Sequence, residues 1–193
     1  LEKGYESKDI QVLAPKYGGV AGIDALNNAL QKMMNPSTAH KRELKVGYRI
    51  FRVGDKVLQL KNQPEDEVYN GDIGEIVDIA YASESVGQKH QLLVDFDGIM
   101  VEYSNEQLYN ITHAFCISIH KAQGSEYPIV ILPIVSEYAY MMSKRLLYTA
   151  VTRAKKSLVL LGERDMLHKA VTRKERHQRN STLEMRIRKL FHA

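Results

Sequence analysis

At 193 residues, with 44% hydrophobic and 26% charged side chains, twelve glycines and five prolines, the chain has the make-up of a folded protein: one ordinary domain with room for a small extra module. A net charge of +4 and a pI near 9.0 point only weakly to a polyanionic partner, although the excess gathers toward the C-terminal third, at Lys144–Arg145, Arg153–Lys156, Arg173–Arg179 and Arg186–Lys189. No apolar run approaches the roughly 18 residues of a membrane span, and no basic start leads into an apolar stretch, so no membrane partner is expected and the cytoplasm is the expected location. Cys116, the single cysteine, has no internal disulfide partner and lies in the apolar run Ala114–Ile117, which reads as core. The chain opens at Leu1 on a polar, unpatterned stretch, as expected of a piece of a longer polypeptide.

In chain order, Ile10–Ala14 reads as a buried strand that runs through Pro15 into a glycine-rich loop ending at Gly22. Apolar residues at Leu26, Leu30 and Met33/Met34 then mark an amphipathic helix from Ile23, stopped by Asn35–Pro36. From about Glu43 to Ile111 the texture changes to short β-forming runs separated by turns. Candidate strands are Lys56–Leu60, Ile73–Tyr81, Gln91–Phe96 and Met100–Tyr103, punctuated by Asn70–Gly71 and Asp97–Gly98, which predicts a small inserted barrel. After Thr112 the α/β rhythm returns: a strand over His113–Ser118, a short helical turn, a strand at Ile129–Leu132, a helix from about Ser143 to Ala154 and a strand at Leu158–Leu161. The tail sets Leu183, Ile187, Leu190 and Phe191 on one helical face, flanked by Arg186, Arg188 and Lys189.

Two stretches carry candidate chemistry. Ser118-Ile119-His120-Lys121-Ala122-Gln123-Gly124-Ser125-Glu126 falls where a buried strand gives way to a helical turn, a junction that exposes backbone N–H groups and short polar side chains at the C-terminal edge of a parallel sheet. Ser118, His120 and Lys121 can hydrogen-bond to phosphates, Gly124 permits close backbone approach, and Glu126 offers a carboxylate to a ribose hydroxyl. On these residues alone, a merely capped helix remains an equal reading. In Lys144–Lys156, an apolar face of Leu146, Leu147, Ala150, Val151 and Ala154 opposes a polar face of Arg145, Thr149, Thr152, Arg153 and Lys156. Such a face suits a guanidinium aimed at a transferring phosphoryl group, or is simply solvated.

These stretches resemble a known family. "SIHKAQGSEYPIVILP" is similar to motif V and "LLYTAVTRAKKSLVLLG" to motif VI of superfamily 1 DNA helicases of the RecD/TraA type, in the same order and about 25 residues apart. "QVLAPKYGGVAGIDALNNALQKMMNP" resembles the motif IV strand, loop and helix of that branch, and "GDKVLQLKNQPEDEVYNGDIGEIVDI" its inserted SH3-like barrel, so the resemblance covers about Ile10 to Leu167. It implies an α/β fold: a RecA-like, P-loop-NTPase-type parallel sheet (residues 1–42 and 112–193) interrupted by an SH3-like β-barrel (residues 43–111). It further implies that Arg153 is the arginine finger, that Gly124 and Glu126 lie beside the nucleotide sugar, and that Ser118, His120 and Lys121 hold single-stranded DNA. Lys56, Lys61 and Asn62 match barrel residues facing the DNA. Where relatives often carry an arginine in the motif IV loop, this chain has Lys16, which can offer a phosphate a point charge but not a bidentate fork.

Nowhere does the sequence contain a G-x-x-x-x-G-K-[ST] phosphate loop, nor an acidic motif after a strand to hold Mg²⁺. The resemblance therefore implies the C-terminal motor half of an ATP-dependent, 5′-to-3′ DNA helicase of recombination and repair, akin to the exodeoxyribonuclease V alpha chain. ATP and Mg²⁺ would be held largely by a preceding helicase domain, and this part alone would be inactive; no metal site is expected within it. A competing class is a protein-docking module for other subunits of a recombination nuclease, with Tyr48, Tyr69, Tyr81 and Tyr103 as groove aromatics. The motor of a conjugative relaxase is a third reading.

Overall fold

The computed structural model describes residues 4–85, 87–173 and 182–191. Leu1 and most of the basic run Arg173–Arg179 lie outside the described residues. The elements, in chain order, are β1 (Ile10–Ala14), α1 (Ile23–Met34), β2 (Glu43–Val46), β3 (Arg49–Arg52), β4 (Lys56–Gln59), β5 (Ile73–Ala80), β6 (Gln91–Phe96), β7 (Ile99–Ser104), β8 (Ile111–His113), β9 (Cys116–Ser118), β10 (Tyr127–Ile134), α2 (Lys144–Val151), β11 (Ala154–Gly162), α3 (Arg164–Thr172) and α4 (Leu183–Phe191), with short 3₁₀ turns between some of them.

β11, β10, β1 and β9 form a parallel sheet in that order, and around it gathers a core that includes Leu13, Cys116, Val130, Leu132 and Ala150. Burial pushes the Cys116 thiol up to about 12, consistent with the core reading. The segment between α1 and β9 makes a second, antiparallel sheet in the order β7-β6-β5-β4-β8, with the hairpin β2–β3 beside it and its own core of Phe51, Val57, Ile76, Leu92, Val94 and Ile111. The expected barrel is not closed: among the described residues the sheet ends at β7 on one side and β8 on the other.

The single strand expected over His113–Ser118 is two strands. His113 pairs with Val57 in the antiparallel sheet, Cys116 pairs with Val12 in the parallel one, and the two residues between them are shared: the Ala114 N–H donates to the Lys56 carbonyl while the Phe115 carbonyl accepts from the Val12 N–H. Buried Gln11 reinforces this crossing by donating its side-chain amide to the Ala114 carbonyl at 3.0 Å.

α1 lays Leu26 and Leu30 of its expected apolar face against the parallel-sheet core, with a polar stripe buried beside them. The residues it buries are Ile23, Asn27 and Gln31, while Leu26 and Leu30 are only partly covered and Met33 is exposed. The polar stripe has work to do. Asn27 donates to the Cys116 carbonyl and accepts from the Cys116 N–H, both at 2.8 Å, which closes the otherwise open edge of β9. One turn on, Gln31 donates to the fully buried Asp55 at 2.6 Å, as do Asn35 at 2.8 Å and the Arg52 N–H at 2.8 Å, with His113 Nε2 3.2 Å from the same carboxylate. α1 thus pins the antiparallel sheet to the parallel one through a satisfied buried polar network.

Candidate functional site

The parallel register separates two groups of candidate residues that a single loop had appeared to unite. Ser118 lies level with Ala14 at the C-terminal edge, whereas Glu126 precedes β10 and Arg153 precedes β11 at the N-terminal edge. The five residues of β1 set those edges roughly 15 Å apart. Residues 119–126 therefore cross the sheet from one edge to the other, and the expectation that the whole Ser118–Glu126 stretch sits at the C-terminal edge is corrected.

At the N-terminal edge, α2 starts at Ser143, whose hydroxyl accepts from the Leu146 N–H at 3.2 Å. The helix was expected to continue to Ala154 but stops at Val151. The Thr152 hydroxyl turns back to the Tyr148 and Thr149 carbonyls, and Lys155 and Lys156 belong to β11. Half-buried Arg153 occupies the tight turn between helix and strand. Its guanidinium donates to the Ser125 carbonyl at 3.0 Å, the Thr149 carbonyl at 3.2 Å and the Thr152 hydroxyl at 3.1 Å, all uncharged acceptors, and the Arg153 carbonyl accepts from the Tyr127 N–H. Exposed Glu126 faces Lys155 at 3.3 Å. Gly124 has φ +88° with open space around it, so glycine is needed there for the turn itself and not to admit a close neighbour. An exposed carboxylate and a pre-positioned guanidinium on adjoining turns suit the sugar and terminal phosphate of a nucleotide.

At the C-terminal edge, the Ser118 hydroxyl accepts from the Lys121 N–H at 3.1 Å, His120 is exposed, and the Lys121 ammonium donates to the side-chain oxygen of Asn70. Asn70 in turn donates its N–H to Asn62 at 2.9 Å, and Lys61 is exposed beside it. Asn70–Gly71 is therefore a turn, as its sequence indicates, but also the link that joins the antiparallel sheet to the loop after β9.

Two candidates lie elsewhere. Lys56 is not a solvent-facing strand-edge lysine: it is only 9% exposed, its ammonium donates to the Ile10 carbonyl at 3.1 Å and sits over the Tyr127 ring, and burial pulls its pKa down to about 8. Lys16 follows β1 at the C-terminal edge, across the sheet from Arg153 and Glu126, and pairs with Glu137 at 2.9 Å. That contact, with a hydrogen bond from the Ala21 N–H, holds the Glu137 carboxyl below its ordinary range. The four tyrosines of the docking reading also divide. Tyr103 is buried and donates to Gln59, Tyr81 is partly buried against Arg42, and only Tyr48 and Tyr69 are exposed.

A four-stranded parallel sheet with an arginine turn at one edge and the Ser118–Lys121 loop at the other has the architecture of a RecA-like domain, and comparison with known proteins agrees. Residues 26–96 match the family described as ATP-dependent RecD-like DNA helicase SH3 domain, and residues 113–161 match the UvrD-like helicase C-terminal domain. The chain is 35% identical over 179 residues to the ATP-dependent RecD2 DNA helicase of Deinococcus radiodurans, a match covering 93% of this chain and 23% of that protein. It is 25% identical over 167 residues to the RecBCD enzyme subunit RecD of Buchnera aphidicola subsp. Schizaphis graminum, covering 85% and 26% respectively. The chain thus spans about a quarter of the length of these relatives. Its fold is shared with Pif1 helicase from Bacteroides in complex with ADP-AlF3 and ssDNA (TM-score 0.56, 14% identity, 98% of this chain and 47% of that one). It is shared also with Pif1 helicase from Candida albicans (TM-score 0.58, 16% identity, 88% and 48%). Over the residues it spans, this chain belongs to the RecD-like superfamily 1 helicases.

Proposed function

We propose that this chain is the C-terminal motor half of an ATP-dependent helicase that moves 5′ to 3′ on single-stranded DNA in the cytoplasm and serves recombination and repair, in company with other nuclease subunits. Arg153 is the arginine finger and Glu126, with Gly124, adjoins the nucleotide sugar. Ser118, His120, Lys121, Lys61 and Asn62 grip the strand. The phosphate cradle and the Mg²⁺ ligands belong to a preceding domain, in keeping with the absence of a phosphate loop from these 193 residues. ATP supplies the phosphoryl transfer whose free energy drives movement. This chain's part is to bring a permanently charged planar guanidinium to the developing negative charge and to change its hold on DNA as it does so.

The observation that carries this reading is the path of residues 119–126. Ser118 and Lys121 begin that path at the DNA edge, and Ser125, which accepts from the Arg153 guanidinium, ends it at the nucleotide edge. A shift of Arg153 toward a phosphate breaks its bond to Ser125 and loosens the far end of a segment whose near end grips DNA. Such a segment supplies the free-energy coupling between the two sites that a motor requires.

The test is binding of a fluorescent single-stranded oligonucleotide across salt concentrations. Each phosphate neutralised contributes a slope of about −0.7 to log K against log salt, so contacts from Lys61, Lys121 and one further cation give a slope near −2. Lys121→Ala flattens it by about 0.7. Binding that ignores salt contradicts the grip.

A further inference from the structure

The hairpin β2–β3 was not foreseen in the sequence and has no place in the proposed motor chemistry, yet its tip stands over the DNA edge. Val46 pairs with Arg49 across a two-residue turn, Gly47–Tyr48, with φ +61° at Gly47, the geometry of a tight II′ hairpin that holds its tip rigidly. The tip presents Tyr48, 75% exposed, with the Arg49 guanidinium 4.8 Å from the ring centroid and donating to the tyrosine hydroxyl at 2.9 Å. Tyr17, 55% exposed, from the loop after β1, lines the same cleft as the hairpin tip. The cleft, of about 220 Å³, is lined by Tyr17, Tyr48, Arg49, Leu58, Ile117 and Ser118.

We propose that this cleft receives one unstacked base of the single strand, sandwiched between Tyr17 and the Tyr48–Arg49 pair, while the adjoining phosphates pass along Ser118 and Lys121. The proposal rests on the DNA-binding reading given above. Three features favour a base over other occupants. The volume admits one planar ring system and little more. Two exposed aromatics and a guanidinium plane provide stacking surfaces over an apolar floor, the arrangement by which proteins hold bases without regard to sequence. Ser118, which begins the DNA-gripping segment, forms part of the wall, so the cleft is continuous with the path of the backbone. Asp24 also lines the cleft, and its carboxylate disfavours entry of a phosphate while leaving an uncharged base unaffected. Stacking is independent of counterion release, so the contact adds affinity without adding salt dependence. Gly47 itself lies against the Tyr109 ring, where an added Cβ would stand 3.7 Å from the ring edge, so the tip is braced from behind.

The experiment measures affinity for a single-stranded oligonucleotide, and for a set of the same oligonucleotides in which one abasic site is walked along the sequence. Tyr48→Ala should weaken binding of the intact oligonucleotide about tenfold, with the salt slope unchanged. Tyr48→Phe should restore it, and Met100→Ala, exposed on β7, should leave it as it was. In the wild type, one abasic position should cost the same factor as Tyr48→Ala, and in Tyr48→Ala that position should cost nothing further. Salt-dependent binding that is unaffected by Tyr48→Ala, or that shows no such abasic position, overturns the base cleft while leaving the DNA grip standing. Failure of the wild type to bind single strands at low salt overturns both.

Discussion

Removing the Asp55 carboxylate tests the claim that the two sheets are held as one body by a polar network. In the folded chain Asp55 is wholly buried and accepts from Gln31, Asn35 and the Arg52 N–H. Asp55→Ala leaves one N–H of each of these groups without its acceptor in a place water does not reach, while the second N–H of the Gln31 and Asn35 amides keeps the Ile50 and Val53 carbonyls. At about 1–1.5 kcal/mol for each orphaned donor, the loss comes to roughly 3–5 kcal/mol, the same range as breaking one side of a buried charged pair. Asp55→Asn keeps the volume, but in either orientation of the amide an NH₂ group faces N–H donors, so roughly 2–3 kcal/mol is lost even without a cavity. For a domain whose total stability is of order 5–15 kcal/mol, the alanine variant should melt on the order of 10 °C lower. Urea unfolding followed by circular dichroism gives the difference directly, with Glu65→Ala at the exposed turn before β5 as a control expected within about 0.5 kcal/mol of wild type. A loss below about 1 kcal/mol for Asp55→Ala, at unchanged m-value, refutes the argument that this network joins the sheets.

Two further predictions follow from burial. Because Lys56 titrates near 8 when folded and near 10.5 when unfolded, the folded chain gives up this proton first, so stability contributed at Lys56 rises between pH 8 and 10.5. Urea midpoints of Lys56→Met should lack that rise, and parallel pH profiles for variant and wild type would contradict the burial argument. The Cys116 thiol, buried and pushed up to about 12, should resist alkylation at pH 8 in the native chain and react promptly in 6 M guanidinium; rapid native labelling would mean that the β9 edge opens.

Where sequence and structure parted, the physical reasons are particular. β1 and β6 were legible to the residue because their apolar runs are bounded by clear turns. Hydrophobic periodicity marks the Leu26–Leu30 face of α1 but cannot anticipate that Asn27 beside it closes a strand edge and that Gln31 reaches a buried carboxylate. β2 and β3 went unseen as four-residue strands in a charged stretch, and β8 ran into β9 in the sequence because the chain changes sheets without a glycine or proline to mark it. α3, after β11, likewise offered only a mixed face. The residues of motifs V and VI were recognised, but not their division between two edges, which only the parallel register reveals. The bond between Lys121 and Asn70 joins residues 51 apart, and no local pattern encodes it.

The central claim, that Arg153 is the arginine finger, is tested most directly by ATP turnover of the full-length helicase carrying Arg153→Ala, with single-strand affinity measured on the same preparation. The account predicts turnover lower by roughly 10³-fold or more, far beyond the small change in single-strand affinity that loss of the Arg153–Ser125 bond brings. Unchanged turnover, or a loss of turnover that merely follows a loss of DNA binding, would contradict it and leave Arg153 with only its structural bonds to Ser125 and Thr149.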